Sequence, residues 1–193
     1  MALILASSSA IRRQMLDAAG VAYEAVPSNI DEETIKAAEP DPATIASKLA
    51  AAKALHVGAA LTGRWVAGSD SVVSVDGSVF GKPKSRREAE ENLRRFSGKE
   101  MKLTSAVALA RDRQIDWSHA ETAVLKVRPL SEEFIEGYLD AEWPEVGYCV
   151  GVFRLEGRGV QLFDRIDGDY FTILGMPLLP LLGALRERGL MQA

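Results

Sequence analysis

"ILASSSAIRRQML", residues 4–16, carries the first decision about the fold. Ala2–Ala6 read as a short buried strand. From Ser9 to Ala19 the apolar side chains Ile11, Met15, Leu16 and Ala19 recur at helical spacing, and Gly20 supplies a stop. A strand that passes into a helix within a few residues opens an alternation that the rest of the chain continues. That alternation predicts an α/β domain.

Val21–Val26 reads as a second strand and residues 27–33 as a polar loop ending in acids. "DPATIASKLAAAKALHVGAAL" (41–61) reads as a strong helix, with Asp41 at the N-cap and Pro42 in the first helical position. "WVAGSDSVVSVDGSVFGKP" (65–83) has strand character around an Asp76-Gly77 hairpin signal. Ser85-Arg86-Arg87-Glu88 is a capping box opening a helix that Gly98 ends. Strand-like segments at 101–110 and 114–127 flank the turn "RDRQ", and Ser131–Ala141 reads as a helix with acids in its first turn. Residues 147–163 read as strand-like with glycine punctuation, and "GMPLLPLLGALRERG" (175–189) as a closing apolar helix. The paired strands at 72–80 and 101–127 predict a mixed sheet rather than a purely parallel one.

A chain of 193 residues is long enough to bury a sizeable core, either as one medium domain or as two lobes around a cleft. Its composition, 47% apolar and 26% charged, is that of a globular protein, and no stretch has the length of a membrane span. A formal charge of −4 argues against a general nucleic-acid binder, yet local cationic clusters could still hold a small anion. The lone Cys149 allows no intrachain disulfide, and with only His56 and His119 it offers neither a zinc site nor an obvious nucleophile–base pair. The N-terminus lacks a basic segment and a long apolar run, so the expected compartment is the cytoplasm.

Several residues could carry chemistry. The strand-to-helix junction at 6–10 exposes backbone N–H groups, Ser7 and Ser9 add hydroxyls, and Arg12 and Arg13 add permanent positive charge, a set suited to phosphate. The alternative is a serine cap beside two solvated arginines. Asp70 in "AGSDSVV" sits in an interior-type strand, where a carboxylate is normally ion-paired, metal-bound or at the mouth of a site. Lys82 in "GKP" is not part of a Walker loop, because the spacing is wrong and Pro83 stands where Ser or Thr is needed. Lys53 and Glu32, taken singly, read as surface charge.

In this order, "LILASSSAIRR", "IDE", "KLAAAKA", "AGSDSVVSVDG", "GKP", "EAEENLRRFSGK" and "GDYFTILGMPLLPLL" resemble the Maf family of nucleotide pyrophosphatases from Leu3 to Leu185. The resemblance implies a single domain over 1–193 with the Maf/Ham1, inosine-triphosphatase-like fold. In that fold a mixed elongated sheet with flanking helices forms two lobes around a cleft. It implies metal-dependent cleavage between the α and β phosphates, with Mg²⁺ or Mn²⁺ as cofactor. On the matching positions, Asp70 corresponds to the proton acceptor. Ser7, Ser9, Arg12 and Arg13 correspond to the phosphate-binding start, and Glu32, Lys53 and Lys82 to further cleft residues. In that arrangement the lysines and arginines would clamp the triphosphate, and Glu32 with Asp70 could hold the metal.

Ile11, Ser71 and Glu156 correspond to the specificity positions. Pyrimidine-selective members read "SPRR", "ADT" and "GAYGIQG" where this chain has "SAIRR", "SDS" and "VFRLEG". Glu156 in place of glutamine resembles the branch acting on 7-methyl-GTP, although that branch has Trp at the position of Ile11 and Gln at that of Ser71. The expected partner is a nucleotide, 7-methyl-GTP first, with dTTP or UTP as the alternative and a homodimer left open. A non-catalytic regulator of cell division or septum formation is the competing class. Neither nucleic acid nor membrane is an expected partner.

Overall fold

The computed structural model describes residues 2–192. Strand β1 (Leu3–Ala6) is buried at all four positions because it lies between two parallel neighbours, β2 (Tyr23–Ala25) and β3 (Val66–Val75). Its side chains alternate between two apolar clusters, as a pleated strand requires. Leu3 and Leu5 join Met15, Leu16, Leu181 and Leu185 on one face. Ile4 and Ala6 meet Ala54, Val57 and Val66 on the other. Helices α1 (Ala10–Ala18) and α7 (Leu178–Glu187) therefore cover one face and α3 (Pro42–Gly58) the other.

The remaining strands are β4 (Ser78–Phe80), β5 (Glu100–Arg111), β6 (Gln114–Val127) and β7 (Phe163–Asp167). The sheet runs β2-β1-β3-β5-β6-β7, with β4 attached to β3. The pairs β3–β4 and β6–β7 are antiparallel, so the sheet is mixed, as the hairpin signals predict. Asp76 and Gly77 both take positive φ (50° and 78°), the geometry of a tight two-residue hairpin, and Asp112 and Arg113 do the same in "RDRQ".

The helices α2 (Glu32–Ala38), α4 (Arg86–Phe96), α5 (Glu132–Glu142) and α6 (Tyr170–Leu174) complete the set. Two segments differ from the sequence expectation. The acids of "IDEE" are not the end of a loop but the start of α2. Asp31 caps this helix by accepting from the N–H groups of Glu33 and Thr34, and Glu32 and Glu33 lie in the favoured first turn. Residues 147–163 are not a strand. They form turns with 3₁₀ helices at Glu145–Tyr148 and Arg158–Leu162, and β7 begins only at Phe163. The glycines there permit close approach, since a Cβ at Gly159 would sit 2.7 Å from the backbone nitrogen of Arg154. The capping box of α4 is also modified: Ser85 accepts from the Glu88 N–H at 3.2 Å, while the Glu88 carboxylate accepts from the N–H of Lys84.

The chain forms two compact units. The first comprises the residues up to Ser71, Thr104–Glu121 and the residues from Asp169 on. The second comprises Val72–Leu103 and Thr122–Gly168. The first has the two-sided core just described. In the second, Leu93, Phe96, Met101, Leu125, Ile135 and Leu139 are fully buried.

Candidate active site

The register of β1 and β3 pairs Ala6 with Gly68. Ser7 therefore follows the end of β1, and Asp70 lies in the middle of the longer β3, two residues beyond the level at which β1 ends. Gly68 lets α3 lie directly on β3, since any Cβ there would run into the carbonyl of Ala50 and the nitrogen of Ala54. Lys53 lies between those two helix positions, so its side chain reaches over the strand.

The Lys53 ammonium bonds to Oδ1 of Asp70 and pairs with Oε1 of Glu32 at 2.7 Å. Lys53 and Asp70 are 8% and 7% exposed, and charges buried to that degree must be paired. Lys36 takes the second Glu32 oxygen at 3.2 Å. Partial burial pushes the Glu32 carboxyl up, but the hydrogen bonds and charges of Lys53 and Lys36 outweigh it and hold the group below its ordinary range. Two residues that look like separate surface charges in the sequence are thus paired with each other, and Lys53 also with Asp70.

The segment before α1 is not a simple serine cap. Ser9 stands at the N-cap position, but its hydroxyl makes no capping bond, and its N–H donates to Oγ of the buried Ser7 at 3.1 Å. The two arginines differ. Arg12 donates through Nε to the carbonyl of Gly175 (2.9 Å), through Nη1 to the carbonyl of Ser69 (2.8 Å) and through Nη2 to Oγ of Ser71 (3.2 Å). Burial lowers its pKa, against the opposing pull of Asp70 and Glu32, so the guanidinium feels both carboxylates. Arg13 is exposed, while Ile11 and Ser71 are half-buried.

Sequence reasoning does not single out the network around Arg12. Ser69 and Ser71 both reach the Gly175 carbonyl at 3.1 Å, Ser71 also meets Ser105 at 2.8 Å, and Ser105 donates to the carbonyl of Thr172 at 2.7 Å. The Thr172 hydroxyl donates to Glu121, whose other oxygen meets His119 at 2.9 Å. The signal for it lies in "GDYFTILGMP". There Asp169 caps α6 and Gly175 ends it in the left-handed region (φ 115°), turning its carbonyl toward three donors.

Lys82 and Glu156 belong to the second unit, and both are exposed. Both act on the Cys149 thiol. Burial and the Glu156 charge push it up to about 11, against Lys82 and Arg154, so it stays protonated at neutral pH.

Glu32 and Asp70 bring two carboxylate oxygens to one cationic atom, a hard oxygen pair of the kind Mg²⁺ or Mn²⁺ takes together with phosphate oxygens. Among the described residues no group of three or more His, Cys, Asp or Glu is gathered, so a divalent cation would rely on substrate oxygens for the rest of its shell.

A mixed α/β chain with a serine- and arginine-rich strand–helix junction beside a carboxylate–lysine–carboxylate cluster has the parts of a phosphate-handling protein. Residues 2–188 match the family described as Maf-like protein, and the chain belongs to that family. It is 47% identical over 193 residues to a Rhizobium etli protein named 7-methyl-GTP pyrophosphatase, covering 97% of this chain and 96% of that one. It is 45% identical over 195 residues to a Sphingopyxis alaskensis protein named nucleoside triphosphate pyrophosphatase, covering 98% of each. A crystal structure of a nucleoside-triphosphatase / dITP/XTP pyrophosphatase from Mycobacterium abscessus aligns over 98% of this chain and 96% of its own, with a TM-score of 0.46 at 15% identity.

Proposed function

We propose that the protein is a nucleoside triphosphate pyrophosphatase that hydrolyses the α–β phosphoanhydride to a nucleoside monophosphate and pyrophosphate, with 7-methyl-GTP its preferred substrate. The observation that carries this reading is Lys53 held between Glu32 and Asp70, next to the Ser7–Arg13 segment. Phosphoanhydride hydrolysis needs an oriented water and neutralised phosphate oxygens but little covalent chemistry, and the site offers no nucleophile of its own. Asp70 orients the water and accepts its proton as the oxygen bonds to the α phosphorus and the bond to the pyrophosphate leaving group breaks. Lys53, Arg13 and the Ser7 and Ser9 groups neutralise and orient the phosphates. Arg12 holds Ser69, Ser71 and Gly175 in place around them. A divalent cation held by Glu32 and Asp70 would supply further charge neutralisation for the polyphosphate.

A carboxylate pair repels anions unless it works with cations, so a purely nucleotide-binding regulator would have little use for it. That favours catalysis over a non-catalytic role in cell division. Among the described residues no helix is long and apolar enough to cross a membrane. We place the activity in the cytoplasm.

Glu156 supports the choice of base. Guanine presents two donors, N1–H and the N2 amino group, on one edge, and a carboxylate is an acceptor that can take both. Uracil and thymine present one donor flanked by carbonyls that a carboxylate repels. Methylation at N7 acidifies N1–H and strengthens the contact. The test compares kcat/KM for 7-methyl-GTP, GTP, UTP and dTTP in the parent and in Glu156→Gln. The expected result is a parent preference for 7-methyl-GTP that the variant loses by about tenfold or more, the scale of a charged hydrogen-bond pair. A parent preferring UTP or dTTP, or an unchanged order in the variant, would overturn the substrate assignment.

A further inference from the structure

The segment that carries Glu156 is held in place by another element. Residues 152–158 have little regular structure. Val152 takes φ 56°, and a single turn bond runs from the Gly157 N–H to the carbonyl of Arg154 at 3.2 Å. Two buried residues of α5, Tyr138 (4% exposed) and Glu142 (7%), lie one helical turn apart and so share a face. Both reach this segment.

The Tyr138 hydroxyl donates to the carbonyl of Val152 at 3.0 Å. Oε2 of Glu142 accepts from Nη2 and Nε of Arg154 at 3.0 and 3.3 Å, and its Oε1 accepts from the N–H of Arg158 at 3.4 Å. A Cβ at Gly157 would stand only 3.3 Å from Oε2 of Glu142, so the turn closes tightly over the carboxylate. The three fixed points, 152, 154 and 158, bracket Glu156. Glu156 itself is exposed.

An ion pair with a buried carboxylate is weak evidence for stability, since well-packed apolar residues often serve as well. Here both oxygens of the carboxylate are directed at one loop, on either side of one exposed acid. We propose that Glu142, assisted by Tyr138, is a positioning residue for nucleotide selectivity: it fixes the 152–158 loop so that Glu156 is presented in one orientation. The inference rests on the reading of Glu156 as the residue that recognises the base. Accepting two donors of a guanine edge at once requires both Glu156 oxygens in register, and such geometry holds only when the supporting groups are themselves locked. A single-donor pyrimidine edge makes no such demand.

The test uses the full chain with Mn²⁺ and the ratio of kcat/KM for 7-methyl-GTP to that for UTP. It is measured in the parent, Glu142→Gln, Tyr138→Phe, Glu156→Gln and the Glu142→Gln/Glu156→Gln double variant, with Tm recorded for each. A glutamine at 142 cannot accept from Arg154 and Arg158 together. Glu142→Gln should lower the ratio about tenfold, mainly through KM for 7-methyl-GTP, and Tyr138→Phe by about threefold, the scale of single hydrogen bonds. In the Glu156→Gln background the substitution at 142 should leave the ratio unchanged, because two residues acting through one group are not additive.

A Glu142→Gln protein with a lowered Tm but the parental ratio would show a merely structural role and overturn the proposal. So would an equal loss in the Glu156→Gln background. If Glu142→Gln does not fold, a parental ratio in Tyr138→Phe overturns it. If Glu156→Gln itself keeps the preference, the base-reading assignment fails and the positioning role falls with it. If Glu156→Gln loses the preference and Glu142→Gln keeps it, only the positioning role fails.

Discussion

At the residue scale, Arg12 and Arg13 are neighbours with different duties. Arg12 donates to the carbonyls of Ser69 and Gly175 and to the hydroxyl of Ser71, so removing it takes three charge-assisted bonds from the network, while Arg13 is exposed. Arg12→Ala is expected to destabilise the ligand-free protein by about 2 kcal/mol, the scale of hydrogen bonds to a charged group, and lower its Tm accordingly. Arg13→Ala is expected to leave the ligand-free Tm within about a degree, as exposed substitutions do, while weakening nucleotide binding about tenfold or more. Thermal melts with and without a non-hydrolysed triphosphate analogue separate the two. Equal stability losses in both variants would contradict this division of roles. The sequence shows two adjacent guanidinium groups and their suitability for phosphate. It cannot show that one turns inward, because the acceptors come from β3 and from the end of α6, more than fifty residues away along the chain.

At the element scale, the close contact of α3 with β3 builds the charged cluster. Gly68 admits the helix backbone, and Lys53, between Ala50 and Ala54, meets Asp70 as a result. Gly68→Ala should cost about 1–3 kcal/mol through overpacking, and it should lower turnover because any outward shift of α3 moves Lys53 off the carboxylates. Urea titration and steady-state rates test both parts, and a variant of parental stability and rate would show that this close approach is not needed. Strong local signals make such elements legible: Asp41-Pro42 at the start of α3, Asp76-Gly77 in the hairpin, and the spacing of β1 and α1 all find their places. The misread elements are those whose local pattern is ambiguous. In α2 the acids read as loop polarity until Asp31 is seen to cap them. In 147–163 apolar residues at short spacing suggest a strand, but close glycine contacts and α5 impose turns.

At the scale of the whole molecule, the residues of the carboxylate–lysine cluster come from α2, α3 and β3, and none of them reveals the others by spacing. Only the ordered motifs of a family bring Glu32, Lys53 and Asp70 together in a reading of the sequence, whereas the fold does so through strand register and helix packing. The polar network from Arg12 to Glu121 stays hidden for the same reason, since Ser69, Ser105 and Thr172 are unremarkable one by one. In the proposed reaction this cluster hydrolyses a nucleoside triphosphate at the α–β bond with Asp70 as proton acceptor. Its most direct test is the release of pyrophosphate from 7-methyl-GTP with Mn²⁺, measured for the parent and for Asp70→Asn alongside their Tm. The expected result is one pyrophosphate per nucleoside monophosphate in the parent, and in Asp70→Asn a rate at least about a hundredfold lower with the fold intact. A variant that turns over within a few-fold of the parent, or a parent that releases only inorganic phosphate, would contradict it.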